Sequence, residues 1–167
     1  KLKETENQLI YYAKKISILR KNKALELEKE VKYILNQMYL QQVQFKFDFQ
    51  INDFNDNGID NVKIVVSTNS GQPLQPLQKI ASGGELSRIM LAIKAVSQNS
   101  KDGGTIIFDE ADTGVSGKVA ESIGHVMKKI SKKQQVICIT HLAQVACFAN
   151  NHLFIEKEQM DNTSKVH

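Results

Sequence analysis

The segment 105-TIIFDEADTGVSG-117 joins a short apolar run to two adjacent carboxylates and a glycine-containing loop. The apolar run predicts a buried strand that delivers Asp109 and Glu110 to its carboxyl end. Ligands of open α/β sheets bind at that end, where one carboxylate can hold hydrated Mg²⁺ while its neighbour activates a water molecule. A pair of helix-capping acids after a strand is the structural alternative, and the segment alone fits both.

A second apolar run, 135-QVICITH-141, ends on a histidine. Between the two runs a helix is expected over 117–131, and alternation of strands with helices predicts a parallel sheet covered on both faces. The carboxyl ends of both strands should then meet at one edge. His141 would face the same crevice as Asp109, although a single histidine is more often structural.

The segment 80-IASGGELSRIMLAIKAV-96 predicts an amphipathic helix with an unusual first turn. Ser82 and Glu85 form a capping box, which satisfies two backbone N–H groups. Gly83 and Gly84 each weaken the helix by up to about 1 kcal/mol relative to alanine, so their presence needs another explanation. Without a Cβ, an anion can lie directly on the first-turn N–H groups, which predicts a phosphate site.

The first 43 residues contain neither glycine nor proline and predict one long helix. Apolar residues at steps of three and four form a narrow seam, interrupted near 21–24, that is typical of a coiled-coil strand. The seam comprises Leu9, Tyr12, Ile16, Leu19, Leu27, Val31, Ile34 and Met38. We expect its partner helix to lie outside this chain; a surface helix packed on its own domain is the alternative.

Alternating apolar residues over 43–51 and 61–68 flank the turn-rich segment 52–60 and predict a β-hairpin. The acidic turn resembles a calcium loop only weakly, because it lacks the distal glutamate, so we expect an ordinary turn. A last strand is expected over 152–158.

The 167 residues carry a formal net charge of +4 and 41% hydrophobic residues, which is typical of one globular domain. Neither a membrane span nor a secretory signal is recognisable. With only two cysteines a disulfide framework is not expected, so we expect a protein of the reducing cytoplasm without membrane contacts. We interpret Cys138 and Cys147 as buried apolar residues. With His141 and His152 they mimic zinc-ligand spacing, but a strand, a helix and a strand would scatter the four ligands.

Four motifs occur in the order and spacing of SMC-like, ABC-type ATPases. They resemble the signature motif (81-ASGGE-85), a Walker B strand (106-IIFDE-110), the D-loop (112–117) and the switch histidine (His141). The longer strings 81-ASGGELSRIMLAIK-94, 109-DEADTGVSGKVA-120 and 140-THLAQVA-146 are similar to the RecN family of bacterial DNA repair proteins. The resemblance covers nearly the whole chain, including the helix over 1–43, which corresponds to the descending strand of the coiled coil.

The resemblance implies roles for individual residues. Asp109 would hold Mg²⁺ through water, Glu110 would be the general base, and His141 would sense the γ-phosphate. Ser82 and Gly84 would contact the γ-phosphate of an ATP carried mainly by the opposite head, and the D-loop would communicate across the dimer. The implied ATP-site residues are Ser82, Gly83, Gly84, Glu85, Asp112 and Ser116.

No G-x-x-x-x-G-K-[ST] phosphate loop occurs in the sequence. The resemblance therefore implies an α/β fold, the C-terminal lobe of a split ATPase head with a mostly parallel sheet flanked by helices, over 44–167. A coiled-coil helix over 1–43 and a β-hairpin would precede the sheet. We expect the isolated chain to hydrolyse little or no ATP.

In the complete protein, the resemblance implies an ATPase that acts in DNA double-strand break repair and recombination. ATP between two heads would drive dimerisation, and hydrolysis would release the heads. The implied partners are the N-terminal lobe of the same protein, a second copy, and DNA.

Two other functions fit parts of the sequence. A non-catalytic coiled-coil dimerisation module would explain residues 1–43, but it would not need Ser82, Glu110 and His141 together. An ATPase subunit of another ABC-type protein, such as a transporter, would not begin with a long coiled-coil helix that leads into phenylalanine-rich strands.

Overall fold

A computed structural model of the chain describes residues 1–69, 71–80, 83–97, 104–109, 111–160 and 163–166. The helices are α1 (Leu2–Gln37), α2 (Gly83–Val96), α3 (Gly117–Ser131) and α4 (Ala143–Ala146), with a 3₁₀ turn at Leu77–Lys79. The strands are β1 (Gln44–Asn55), β2 (Gly58–Ser67), β3 (Gln75–Pro76), β4 (Thr105–Asp109), β5 (Gln135–Ile139), β6 (Lys157–Met160) and β7 (Thr163–Val166). None of the described helices is both long enough and apolar enough to cross a bilayer.

The α/β fold expected from the sequence is confirmed. Strands β4 and β5 pair in parallel, with Ile107 opposite Ile137 and Asp109 opposite Ile139. Helix α3 connects them and begins at Gly117, as predicted. Strands β1 and β2 form the predicted antiparallel hairpin, and β3 adds a short third strand beside β2.

The last predicted strand is placed differently. Residues 152–156 have no regular structure, and β6 begins only at Lys157. It pairs with β7 in a separate antiparallel sheet instead of joining the parallel one. The apolar run Leu153–Ile155 is at least 73% exposed. Apolarity therefore did not suffice here, because a strand also needs a neighbour that pairs with its backbone groups.

The two halves of the α1 seam have different environments. In the second half, Val31, Ile34 and Met38 are at most 4% exposed and belong to the core. This half therefore packs on its own domain, which was the alternative to a coiled-coil strand. The seam residues before the predicted interruption are at least 42% exposed; they are Leu9, Tyr12, Ile16 and Leu19. Helix α1 is continuous through that interruption.

Tyr39 ends α1 earlier than the sequence suggested. Its φ is +60°, which is the left-handed conformation usual for the residue after a helix C-cap. The Leu40 N–H donates to the Leu35 carbonyl at 2.9 Å, and the Tyr39 N–H donates to the Asn36 carbonyl at 3.2 Å, which completes a Schellman motif. Since glycine usually holds this position, a tyrosine gave no stop signal. The division of the chain after residue 43 stays a prediction.

Asp60 of β2 ties the hairpin to α1, a contact that the sequence did not reveal. Its side chain is only 1% exposed. Ser17 donates a hydrogen bond to Asp60 Oδ1 at 2.6 Å, and Arg20 Nη1 donates to Oδ2 at 3.2 Å. Farther along the helix, the Phe47 N–H donates to the Glu28 carboxylate at 2.7 Å. These polar contacts hold β1 and β2 against one side of α1.

We expect Asp60→Ala to lower the free energy of unfolding by about 2 kcal/mol, because Ser17 and Arg20 lose a charged acceptor. Urea denaturation of the chain measures this change. The matched control is Asp56→Ala in the exposed hairpin turn, which should change stability by less than about 0.5 kcal/mol. If the two variants lose the same free energy of unfolding, the buried Asp60 contact does not stabilise the fold as expected.

The core lies between the second half of α1, helices α2 and α3, the base of the hairpin, and one face of β4 and β5. Phe108 of β4 is 8% exposed on this face. On the opposite face, Ile107, Ile137 and Ile139 are 63%, 44% and 54% exposed. Within the residues that the structure describes, the parallel sheet is thus covered on one face, where the sequence predicted cover on both.

Candidate functional site

The carboxyl ends of β4 and β5 bring two of the predicted site residues to one edge of the sheet. Because the strands are parallel and adjacent, Asp109 lies beside Ile139, and His141 follows just beyond the end of β5. Asp109 is exposed, and the His141 side chain is 70% exposed. Both can therefore meet a ligand from solvent. Glu110, the predicted general base, lies outside the described residues.

Asp112, in the loop after β4, is turned inward and is 1% exposed. The Thr140 hydroxyl donates a hydrogen bond to Asp112 Oδ2, and the Leu142 N–H donates to Thr140 Oγ1 at 3.0 Å. His141 Nδ1 lies 3.9 Å from the same Oδ2 atom. Oδ1 is buried and has no hydrogen-bond partner in the described part of the chain. This carboxylate thus joins the loop after β4 to the end of β5.

The two glycines of the α2 first turn have different surroundings. A Cβ built on Gly84 would lie 2.7 Å from the backbone oxygen of Thr113, so no other residue fits without displacing the loop. At Gly83, no described residue other than its chain neighbours and the backbone of its own helix lies within 4 Å of such a Cβ. The sequence suggested that both glycines make room for a ligand; for Gly84, the chain's own loop is sufficient reason. The space over Gly83 remains open to a ligand.

Other parts of the predicted signature motif are only partly described. Ser82 lies outside the described residues, and Glu85 is half-buried in the first turn. Arg88, which the motif analysis did not single out, donates from Nε to the Gly84 carbonyl at 3.1 Å. Burial lowers the pKa of the Arg88 guanidinium, while the Glu85 carboxylate opposes that shift. The side chain stays cationic and fastens the first turn.

Two glycines shape the D-loop region before α3. Gly114 and Gly117 have φ values of +72° and +53°, a conformation that side chains disfavour. Ser116 is the N-cap of α3 and is exposed. In the described structure its hydroxyl makes no capping hydrogen bond, so it does not serve the helix in the usual way. The glycines thus permit the turns of this loop, and the Val115 N–H donates to the Asp112 carbonyl at 3.3 Å within it.

The two cysteines differ from each other, and the interpretation of Cys147 as buried was wrong. Helix α4 ends at Ala146, so Cys147 is the C-cap residue of a single turn and is exposed. Cys138 is half-buried in β5, where burial, followed by the charges of Asp112 and Asp109, raises the pKa of its thiol to about 11. Among the described residues, no cluster of three or more His, Cys, Asp or Glu side chains could hold a metal ion.

We expect a thiol reagent at pH 8 to modify Cys147 rapidly and Cys138 at least tenfold more slowly. A thiol with a pKa near 11 is only about 0.1% thiolate at that pH, and thiolate is the reactive form. Mass spectrometry of timed samples gives both rates. Cys147→Ser should remove the fast phase and leave the slow one; a fast phase that persists in this variant would contradict the assignment.

Comparison with known proteins places this geometry in context. No protein-family model matches the chain. It is 44% identical to the DNA repair protein RecN of Bacillus subtilis strain 168, over 89% of this chain and 29% of the relative. It is 44% identical to RecN of Halalkalibacterium halodurans, over 85% and 26%, and 40% identical to RecN of Vibrio cholerae, over 87% and 27%. The chain thus spans less than a third of the length of these relatives.

Solved structures agree on the fold. The SMC head domain of Pyrococcus yayanosii, with a coiled coil and joint, aligns with a TM-score of 0.61 at 20% identity, over 99% of this chain and 32% of that one. The head of Pyrococcus furiosus Smc, with an extended coiled coil and bound to the C-terminal domain of ScpA, gives 0.60 at 20% identity, over 99% and 41%. The resemblance to RecN is confirmed, and the fold is that of the C-terminal region of an SMC head.

Proposed function

We propose that this chain is the C-terminal lobe of a RecN-type, SMC-like ATPase head that acts in DNA double-strand break repair and recombination. In the complete protein, ATP held between two heads joins them, and hydrolysis releases them. One observation carries the proposal: parallel strands β4 and β5 bring Asp109 and His141 to one edge, beside a loop that packs on the first turn of α2.

The proposed chemistry follows from the residues at that edge. Asp109 supplies an exposed carboxylate, the oxygen ligand that Mg²⁺ prefers, and would hold the ion through water. Bound Mg²⁺ would neutralise charge on the phosphates. Glu110 would accept the proton of the attacking water, and the exposed imidazole of His141 would donate a hydrogen bond to the γ-phosphate.

The α2 first turn would serve an ATP carried mainly by the opposite head. The N–H groups of a helix first turn and the positive end of the helix dipole attract phosphate, and the open space over Gly83 supports such an approach. Ser82 and Gly84 would contact the γ-phosphate, with Glu85 maintaining the turn. Ser116, whose hydroxyl is exposed, would lie on the D-loop side of the same interface.

A second lobe of the same protein would supply the phosphate loop that this sequence lacks. The relatives are more than three times as long as the matched region, so most of their chain lies elsewhere. The exposed face formed by Ile107, Ile137 and Ile139 supports a docking position on the β4–β5 sheet for that lobe. DNA would be a partner of the complete protein, which we place in the cytoplasm, at the nucleoid.

The test combines this chain with the matching N-terminal lobe that carries the phosphate loop. We expect the lobes to associate and to hydrolyse ATP, whereas this chain alone hydrolyses little or none. Ser82→Arg should abolish ATP-dependent head dimerisation and turnover because the larger cation fills the phosphate position. Lobes that never form an ATPase together would refute the proposal.

Two matched surface substitutions test whether the exposed face of β4 and β5 is the docking surface. Ile107→Lys should prevent association of the lobes, because it places a charge on the exposed sheet face. Ile18→Lys is the matched control: Ile18 is 61% exposed on α1, against 63% for Ile107 on β4. Ile18→Lys should still associate with the N-terminal lobe. If Ile107→Lys associates as well as Ile18→Lys does, this sheet face is not the docking surface.

A further inference from the structure

The hydroxyl of Thr140 connects both neighbours of His141 to the loop after β4. It accepts a hydrogen bond from the Leu142 N–H at 3.0 Å and donates one to Asp112 Oδ2. The residues on each side of His141 are therefore held by one hydroxyl, whose acceptor lies on a different segment of the chain. The imidazole itself is 70% exposed, so little packing holds it in place.

The environment of Asp112 argues for a role beyond stability. A carboxylate that is 1% exposed, with Oδ1 unpaired in the described structure, carries a desolvation penalty that one hydroxyl donor does not cancel. Departures of this kind from a fully satisfied interior are typical of functional sites. The imidazole of His141, the proposed γ-phosphate sensor, lies close to this carboxylate, with its Nδ1 3.9 Å from the paired oxygen.

We propose that Thr140 and Asp112 are positioning residues that hold His141 in place for ATP hydrolysis. This inference rests on the proposed ATPase function, and it adds Thr140, which the motifs did not indicate. The Thr140 hydroxyl fixes the backbone on both sides of His141, and the Asp112 carboxylate fixes that hydroxyl. Because the Asp112 side chain is 1% exposed, it would act through Thr140 and not through the direct ATP contact that the resemblance implied.

The same loop links this pair to the α2 first turn. Thr113 follows Asp112 directly, and its backbone oxygen is the atom against which Gly84 is packed. A displacement of α2 on engagement with a second head would therefore reach His141 through Thr113, Asp112 and Thr140. The position of His141 would then depend on head engagement, so ATP would be hydrolysed mainly in the dimer.

The experiment measures ATP turnover by the complete protein and its Thr140→Val variant, which keeps the side-chain shape but removes the hydroxyl. We expect kcat to fall about 10- to 100-fold, the usual effect of losing a supporting hydrogen bond, with KM for ATP unchanged. Thr140→Ser, which restores the hydroxyl, should recover most of the rate. The control is Thr105→Val, since Thr105 makes an interstrand hydrogen bond to Gln135 Oε1 at 2.6 Å at the other end of the same strands.

Two further measurements show whether loss of the Thr140 hydrogen bonds causes the fall in kcat. Hydrogen exchange of the Leu142 amide should be faster in Thr140→Val, because that N–H loses its acceptor, and should return to the wild-type rate in Thr140→Ser. The double variant Asp112→Asn with Thr140→Val should lose no more activity than the more defective single variant, because both act through one contact.

Several results would overturn the inference. Full kcat in Thr140→Val, despite faster exchange at Leu142, would show that the hydroxyl does not position His141. A Thr140→Ser variant as slow as Thr140→Val would assign the effect to the lost methyl packing instead. If His141→Ala and the wild type hydrolyse ATP equally, the role proposed for His141 fails, and the positioning inference falls with it. Absence of turnover in the wild type would refute the proposed function itself.

Discussion

Glu110→Gln in the complete protein is expected to lower kcat for ATP hydrolysis by about 10²- to 10⁴-fold, because an amide cannot accept the proton of the attacking water. The substitution keeps the size and hydrogen-bonding shape of the side chain, so ATP should still bind. ATP-dependent joining of heads should therefore persist and become long-lived. Phosphate release at saturating ATP and the dimer fraction by size-exclusion chromatography measure the two effects.

The control for this prediction is Glu121→Gln. Glu121 lies on α3, its side chain is 59% exposed, and its carboxylate lies 3.9 Å from His125 Nε2 of the same helix. Its replacement should leave both turnover and dimerisation unchanged. Robust hydrolysis that survives Glu110→Gln would mean that another group is the base, and the Walker B assignment of Asp109 and Glu110 would fail.

Elements with a local start or stop signal were predicted well from the sequence. Helix α3 has the predicted bounds; it begins at Gly117, whose φ is +53°, directly after an extended Ser116. The hairpin is also confirmed, since its alternating residues and its turn residues gave the same answer. These features depend on short stretches of chain, so a single sequence suffices to find them.

Elements that depend on distant contacts were predicted less well. The end of α1 depends on a left-handed Tyr39, and the strand after residue 152 depends on a pairing partner. Burial of Cys147 required a longer α4 than the single turn that forms. In each case tertiary structure outweighed a local preference.

In the candidate site, too, some residues could be predicted from the sequence and others depend on distant contacts. Asp109 and His141 were expected at one edge because the topology of parallel strands requires it, and the structure places both there. Thr140 was missed, because a threonine at a strand end is ordinary in a sequence. Its importance appears only when Asp112, 28 residues away in sequence, is found to accept its hydrogen bond.

Replacing each of the two glycines in the α2 first turn by alanine should have different effects on stability and on ATP-dependent dimerisation. Gly84→Ala would place a methyl group 2.7 Å from the Thr113 backbone oxygen, which cannot rotate away as a side chain could. We expect a loss of about 1–3 kcal/mol in the free energy of unfolding from overpacking, despite the higher helix propensity of alanine. ATP turnover should fall as well, because the displaced loop carries Asp112.

Gly83→Ala should have the opposite effect on stability. Apart from its own helix backbone and its chain neighbours, none of the described residues lies within 4 Å of the added Cβ, so alanine should fold at least as well and stabilise the turn by up to about 0.5–1 kcal/mol. Head dimerisation with ATP should nevertheless weaken, because the methyl group enters the space proposed for the phosphate. Urea denaturation and the ATP concentration at half-maximal dimerisation measure the two effects separately.

The comparison of these variants distinguishes packing from ligand binding within one turn of helix. A stability loss confined to Gly84→Ala, together with weaker dimerisation in a well-folded Gly83→Ala, would show that the missing Cβ serves loop packing at Gly84 and nucleotide access at Gly83. Such a result is compatible with a γ-phosphate contact from the Gly84 backbone. Normal dimerisation by Gly83→Ala would place the phosphate elsewhere. Equal destabilisation by both would mean that the first turn rejects any side chain, whether or not a ligand binds there.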